Sequence, residues 1–264
     1  MLRWLVIVAG LLAASVAQAE TRPKVTSLGI DPASIIYIGN SFFYFNNGMD
    51  GHVSRLNASS AEDAKKLRST EVTISGASLQ WHDVDSYFRP NAVGAFSFDP
   101  ENNIVPNKTD KLFEVAVMMD CSQCPIHPIL KSQFTEYAKK DSDIVRKHGA
   151  KPVLFMSWAY ANKPEMTAGL AEAYTVAGND NDALVIPAGL AFARIVKEHP
   201  EINLYIADKR HPTLAGTYLA ACTSYAALFG RSPVGLSYTA GLDEAVAKTL
   251  QEAAWATVQD YYRH

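Results

Sequence analysis

Residues 34–42 read Ser-Ile-Ile-Tyr-Ile-Gly-Asn-Ser-Phe. The apolar run of this stretch is short, rich in isoleucine and bounded by glycine, which favours a strand buried on both faces. Gly39 and Asn40 are turn formers, so we expect the strand to end there and to present Ser41 at the edge of a sheet. A serine in this position is, by itself, also an ordinary turn or helix N-cap residue.

Similar apolar runs recur along the chain and alternate with segments of helical period. The candidate strands after the first are 71–75, 114–119, 152–157 and 183–186, and the candidate helices are 47–66, 129–148, 164–178, 189–199, 213–229 and 242–262. Short buried strands alternating with helices indicate a parallel sheet covered on both faces. We therefore predict a three-layer α/β/α domain with a central parallel sheet of about five strands. Residues 89–110 fit neither period and are expected to form a long surface loop.

Residues 1–19 have the layout of a secretory signal peptide. Arg3 precedes an apolar stretch, and Ala17-Gln18-Ala19 is a small-x-small cleavage site, so we expect cleavage before Glu20 and a periplasmic or secreted protein. A membrane anchor is the alternative, but the apolar stretch is too short to span a bilayer comfortably. Residues 20–264 would then form a single domain without stable membrane insertion.

The composition narrows the classes of partner and cofactor. The chain carries a net charge of −3 and no cluster of Lys and Arg, so a nucleic-acid partner is not expected. Export favours a disulfide between Cys121 and Cys124, with a redox pair or two free thiols as alternatives, and leaves Cys222 as a buried small hydrophobe. No ligand set has the spacing of a zinc site, so no metal or other cofactor is expected. Nothing in the sequence specifies an oligomeric state.

Two segments have the residue types that nucleophilic catalysis needs. In parallel sheets, ligands bind at the carboxyl ends of the strands, where Ser41, Gly76 and residues 120–124 are expected to converge. The segment Asp208-Lys209-Arg210-His211-Pro212 carries Asp and His three residues apart. An aspartate in this position can orient the imidazole, and a nucleophilic serine requires such a base. In isolation this second segment would be a surface loop with a helix cap.

Taken together, these segments resemble the sequence blocks of the SGNH/GDSL hydrolase superfamily. Residues 38–42 resemble its first block in a Gly-Asn-Ser-Phe variant, residues 75–79 the second, and residues 208–212 the fifth, Asp-x-x-His-Pro. Residues 152–159 resemble an exported, uncharacterised branch of the superfamily. The resemblance implies a flavodoxin-like SGNH fold and a serine hydrolase that needs no cofactor.

The third block departs from the family pattern. The family has Gly-x-Asn after the central strand, whereas this chain has Asp120-Cys121-Ser122-Gln123-Cys124. The branch with the Gly-Asn-Ser-Phe start often carries Gln or Ser-Gln at this place. The resemblance therefore implies Gln123, in preference to Ser122, as a side-chain donor to the oxyanion.

The resemblance also assigns roles to residues. Ser41 would be the nucleophile, His211 its base and Asp208 the residue that orients the base, while the N–H groups of Ser41 and Gly76 would join Gln123 in the oxyanion hole. The residues expected to contact substrate are Asn40, Ser122, Trp81 and Trp158, with His82 as a further candidate for the cleft.

The expected substrate is an ester of modest size, such as an acetylated carbohydrate, with lipid esters as the alternative. A different class also stays open, because the altered third block is compatible with a catalytically weak or inactive carbohydrate-binding protein on the same scaffold.

Overall fold

The computed structural model of the protein describes residues 21–61, 64–107 and 111–263. The predicted signal peptide, residues 1–19, lies outside these ranges. None of the helices that the structure describes is long and apolar enough to cross a membrane.

A parallel sheet of five strands forms the centre of the molecule. The strands of the described residues are, in chain order, β1 (Ser34–Gly39), β2 (Arg68–Thr73), β3 (Phe96–Phe98), β4 (Ile104–Pro106), β5 (Val115–Met118), β6 (Lys151–Phe155) and β7 (Leu184–Ile186). The central sheet has the order β2-β1-β5-β6-β7, and every pair in it is parallel. All residues of β1, β5 and β7 are buried, as expected for a sheet covered on both faces.

Helices flank this sheet. They are α1 (Ser41–Tyr44), α2 (Met49–Ala58), α3 (Val84–Tyr87), α4 (Lys131–Lys147), α5 (Met166–Asp180), α6 (Ala188–Glu198), α7 (Leu214–Phe229) and α8 (Glu244–Tyr262). α7 packs against α2, α6 and α8, whereas α4 packs against β6 and α5. The predicted α/β/α architecture with a central parallel sheet is therefore confirmed.

In the described part of the stretch 89–110, residues 89–107 are not wholly irregular, which corrects the expectation of a plain loop. Within this stretch β3 and β4 form an antiparallel hairpin. The Asp99 carboxylate accepts N–H bonds from Glu101 and Asn103, and Asn102 adopts a positive φ of 64°. These features close a tight turn, for which Asp and Asn are well suited because their side chains bond to nearby backbone and tolerate left-handed φ.

The strand order reverses direction at β1. The chain runs from β1 to β2 on one side, then returns past β1 to β5 on the other side. The carboxyl ends of β1 and β5 therefore mark a topological switch point, where loops diverge and leave a crevice for ligands. One residue, Asn40, separates Ser41 from the end of β1, and one residue, Met119, separates Asp120 from the end of β5.

Candidate active site

Ser41 is fixed at the start of α1 by its neighbour. The Asn40 side chain accepts an N–H bond from Phe42 and so caps the short helix, which satisfies a backbone donor that has no partner inside the helix. Ser41 is only 6% exposed. Its Oγ lies 2.8 Å from Nε2 of His211.

Asp208 binds His211 through both side chain and backbone. One carboxylate oxygen is hydrogen-bonded to Nδ1 of His211, and the other accepts the N–H groups of Arg210 at 2.9 Å and His211 at 3.0 Å. Desolvation raises the pKa of the Asp208 carboxyl, but these hydrogen bonds outweigh it and lower the pKa to about 2. Asp208 is therefore a carboxylate at neutral pH, able to hold Nδ1 as the protonated nitrogen and to leave Nε2 free to accept a proton.

Aromatic side chains position the His211 ring. Phe45 stacks on it with 4.4 Å between ring centroids, and Phe42 meets it edge to face at 5.6 Å. The Asn46 amide donates to the carbonyl of Pro212 at 3.1 Å. The residues that follow Ser41 thus also hold the distant loop that carries the base. We did not expect the role of Phe45 from the sequence, although it lies in an aromatic run directly after Ser41.

Asn40 joins the loops around Ser41. Its Nδ2 donates to the carbonyl of Ala77 at 3.0 Å and to that of Asp120 at 3.1 Å. With its oxygen bonded to Phe42 and only 3% of the residue exposed, the side chain has no free donor for a ligand. We expected Asn40 to contact substrate. It instead ties the segment after β2 and the segment after β5 to the serine turn.

The Asp120 carboxylate makes a second link between these segments. It accepts the N–H bond of Cys121, which follows β5, and lies near enough to the backbone N–H of Leu79, which follows β2, for that group to lower its pKa. Burial raises the pKa of Asp120 to about 6 despite these two N–H groups. At neutral pH the carboxylate form is present and holds both backbone segments.

The residues expected in the oxyanion hole lie on these joined loops. Gly76 has a φ of +71°, a conformation that residues with a Cβ rarely adopt. Gln123 is exposed, and no hydrogen bond from its side chain is formed within the described residues. Ser122 is instead engaged, because its Oγ lies 2.7 Å from the hydroxyl of Tyr160. Their roles at an oxyanion stay predictions.

A disulfide joins Cys121 and Cys124 and closes a small ring around Ser122 and Gln123. The Asp120, Cys121 and Cys124 side chains lie within 4.8 Å of one another, but the sulfurs are bonded together and cannot act as thiolate metal ligands. Cys222 is a free thiol and fully buried, as expected, and burial raises its pKa.

The two tryptophans expected in the cleft differ in exposure. Trp81 is 61% exposed, so a contact with substrate stays a prediction. Trp158 is fully buried between Phe42 and Phe192, with ring centroids 4.3 Å and 4.1 Å away. Its expected contact with substrate is therefore wrong: it lies inside the core, and its indole N–H donates to the Arg210 carbonyl at 2.9 Å.

His82 also does not line the cleft. It is 6% exposed, with Nε2 bonded to the Gly39 carbonyl at 3.0 Å and Nδ1 to the Tyr87 hydroxyl at 3.1 Å. Burial lowers its pKa. The neutral ring has both nitrogens hydrogen-bonded to protein groups, and its bond to Gly39 holds the end of β1 in place.

The proteins similar to this chain were found among solved structures. No protein-family model matches the sequence, and no curated protein matches it. A solved DUF4886 family protein from Bacteroides uniformis shares 18% identity at a TM-score of 0.61, over 88% of this chain and 97% of that one. A proposed SGNH hydrolase from Slackia heliotrinireducens shares 20% identity at a TM-score of 0.54, over 75% and 99%.

The psychrotrophic esterase EstA from Pseudoalteromonas sp. is similar at 13% identity and a TM-score of 0.50, over 74% of this chain and 96% of that one. Identities this low relate the proteins through their fold. This chain thus shares the α/β/α fold of these solved structures, one of which is described as an SGNH hydrolase.

Proposed function

We propose that the protein is a serine esterase that cleaves a carboxylic ester by way of an acyl-enzyme. The observation that carries this proposal is the hydrogen-bonded row from Ser41 Oγ through the His211 ring to the Asp208 carboxylate. A nucleophile, its base and the group that orients the base are the three parts that acyl transfer by serine requires.

In the first half-reaction, Ser41 Oγ attacks the ester carbonyl while Nε2 of His211 takes the hydroxyl proton. Asp208 keeps Nδ1 protonated and stabilises the imidazolium. As the tetrahedral intermediate collapses, the C–O bond to the alcohol breaks and His211 returns the proton to the leaving oxygen. In the second half-reaction a water molecule replaces the alcohol, and hydrolysis of the acyl-serine releases the acid.

The negatively charged oxygen of the tetrahedral intermediate must be stabilised by hydrogen-bond donors. We assign this role to the backbone N–H groups of Ser41 and Gly76 and to the Gln123 amide, whose exposed side chain is able to turn toward the substrate. Loss of a single donor of this kind typically costs ~10²–10³ in turnover. The efficiency of the enzyme therefore depends on how well the altered third block holds Gln123.

We infer a small acyl group and a sugar-like alcohol. Exposed aromatic rings, Trp81 and Tyr44, are 61% and 40% exposed, and the Tyr44 hydroxyl is 3.3 Å from Oγ of Ser75, next to Gly76. Such rings provide flat apolar surfaces for a sugar. A cavity of about 990 Å³ lies elsewhere, between α5, α6 and α8, and no candidate site residue lines it. It therefore offers a long acyl chain no path to Ser41.

We further propose that the protein is exported after cleavage before Glu20. The disulfide between Cys121 and Cys124 supports this proposal, because such bonds persist mainly in oxidising compartments. N-terminal sequencing of the protein recovered from the periplasm or the medium tests the cleavage; a retained Met1 contradicts it.

A substrate panel tests the esterase. The wild-type protein should hydrolyse p-nitrophenyl acetate faster than longer-chain esters and should release acetate from acetylated xylan, and Ser41→Ala should do neither. A preference for long acyl chains would indicate that the substrate is a lipid ester and not a carbohydrate ester. Polysaccharide binding without any turnover, equal in both proteins, would instead make the chain a binding protein.

A further inference from the structure

The cation of Arg210, the residue before the proposed base, forms no ion pair with any residue that the structure describes. The guanidinium of Arg210 lies 4.9 Å from the ring centroid of Tyr160. The Tyr160 hydroxyl is in turn 2.7 Å from Oγ of Ser122. Arg210 adjoins His211 in the chain and Ser122 adjoins Gln123. These three side chains therefore form a continuous wall between the base loop and the third block, which we name the Arg210 wall.

Backbone hydrogen bonds and buried rings hold the Arg210 wall in place. The Arg210 N–H donates to the Asp208 carboxylate at 2.9 Å, and its carbonyl accepts the indole N–H of Trp158 at 2.9 Å. Trp158 is fully buried and Tyr160 is only 6% exposed. The backbone and the ring under the guanidinium are thus fixed by the core, while the guanidinium itself belongs to an exposed residue. A charge held in this way loses little side-chain freedom when it binds a ligand.

The charge of the Arg210 wall is not neutralised by the protein. Among the residues that the structure describes, no acid lies within ion-pairing distance of Arg210, and Lys209, which precedes it in the chain, makes no ion pair either. The one acid of the base loop, Asp208, is already bonded to His211 and to two backbone N–H groups. This wall is therefore locally positive in a chain whose net charge is −3.

We propose that the Arg210 wall is a subsite for a carboxylate of the substrate, so that the preferred ester carries a negative charge close to the scissile bond. This inference rests on the proposed esterase function and deepens it. A planar guanidinium offers paired N–H donors that match both oxygens of a carboxylate, and stacking on a tyrosine ring leaves its edge available for such a bond.

The carboxylate can belong to either half of the ester. In the alcohol half it would be that of an acylated acidic sugar, and in the acyl half it would be the free end of a dicarboxylic acid. Two pairs of esters distinguish these sources. In one pair, para-acetoxybenzoate is compared with its methyl ester; in the other, p-nitrophenyl hydrogen adipate is compared with p-nitrophenyl hexanoate.

The experiment measures kcat/KM for each ester, divided by the rate constant of its alkaline hydrolysis to remove differences in intrinsic reactivity. The proteins are the wild type, Arg210→Gln, Arg210→Lys and Lys140→Gln. Lys140 is a matched control because its ammonium also lies 4.9 Å from a tyrosine ring, that of Tyr137, on α4. Lys140→Gln therefore removes the same unit of charge away from the Arg210 wall.

We expect wild type to favour the charged ester of one pair, and that pair identifies the half that carries the anion. Arg210→Gln should lose roughly tenfold on this charged ester and less than about twofold on the neutral one. Arg210→Lys should keep part of the preference, and Lys140→Gln all of it. Higher salt should reduce the preference, because exposed charges are screened.

The possible failures are distinct. If wild type hydrolyses all four esters but Arg210→Gln changes the charged and neutral members of each pair equally, the carboxylate subsite is wrong and the esterase stands. If Lys140→Gln reproduces the effect of Arg210→Gln, the preference comes from net charge and the subsite is again wrong. If wild type hydrolyses none of the esters, the proposed function fails and the subsite fails with it.

Discussion

Phe45 stacks on the ring of His211, with 4.4 Å between the centroids and 12° between the planes, although 166 positions separate the two residues in the chain. Phe45 follows the serine turn, so the segment that presents the nucleophile also orients its base. A ring held between Phe45, Phe42 and the Asp208 carboxylate retains few orientations. Precise placement of reacting groups is a large part of what an enzyme contributes.

Phe45→Ala should therefore lower kcat by about tenfold with little change in KM, because it frees the imidazole without touching the substrate. Phe45 is only half-buried, so the free energy of unfolding should change by less than about 1.5 kcal/mol. Steady-state kinetics and urea denaturation measure the two effects. Phe45→Tyr keeps the stack and should restore most of kcat; failure of that rescue would argue against a positioning role.

Trp81 and Trp158 should respond in opposite ways. Trp81→Ala should raise KM for an acetylated oligosaccharide about fivefold and leave kcat nearly unchanged, because an exposed ring binds without taking part in the reaction. Trp158→Phe removes the indole N–H that holds the Arg210 carbonyl and should lower kcat and stability, by about 1–3 kcal/mol for the latter. If only Trp158→Phe changes KM, Trp158 rather than Trp81 is the residue that contacts the substrate.

Reduction of the disulfide should slow the enzyme. The bond closes a ring of four residues around Ser122 and Gln123, so its entropic contribution to stability is modest, ~2 kcal/mol, but it restrains the loop that carries a proposed oxyanion donor. We expect dithiothreitol to lower kcat of wild type by roughly tenfold. The control is the double variant Cys121→Ser/Cys124→Ser, which should start at the lowered kcat and not respond to dithiothreitol. Equal kcat with and without the bond would exclude this role.

Asp141 should make stability depend on pH. It is buried on α4, one of its carboxylate oxygens has no hydrogen-bond partner, and burial raises its pKa to about 7. Asp120 raises this pKa further and Lys140 opposes it. Because the folded pKa lies above the unfolded value of about 3.9, the folded state keeps a proton that the unfolded state releases between these pH values. The contribution of Asp141 to stability is thus fully present below about pH 4 and is lost as pH rises through about 7.

Asp141→Asn should abolish this loss. At pH 8 we expect the variant to be more stable than wild type by up to about 4 kcal/mol, and near pH 4 the two should agree. Urea denaturation at both pH values measures the difference, and shifted acids that do not interact with Asp141 cancel in it because both proteins keep them. A variant that is equally or less stable than wild type at pH 8 would show that Asp141 is not held with a raised pKa.

The sheet was predictable because its strands are buried on both faces. The runs at 34–38 and 114–119 consist almost wholly of apolar residues between turn formers. The bounds of each run agree with those of an observed strand to within one residue. The hairpin of β3 and β4 was not predictable, since strands of three exposed residues are too short to establish a period.

The candidate site was predictable where the residues are close in sequence. Asp208 and His211 are three residues apart, and their pairing follows from local geometry. The role of Asn40 was not visible, because the carbonyls that it binds lie 37 and 80 residues further along the chain. The burial of Trp158 likewise depends on Phe192, which α6 brings to it. These contacts of Asn40 and Trp158 with distant segments left no pattern in the sequence.

In the proposed mechanism Ser41 is a nucleophile activated by His211. Incubation of the folded protein with a fluorophosphonate probe near neutral pH, followed by mass spectrometry of the labelled peptide, measures this reactivity at the residue itself. We predict that wild type carries the probe on Ser41, that Ser41→Ala carries none, and that His211→Gln is labelled at least ~10³-fold more slowly. A folded wild-type protein that stays unlabelled, or one labelled at a serine other than Ser41, would contradict the account.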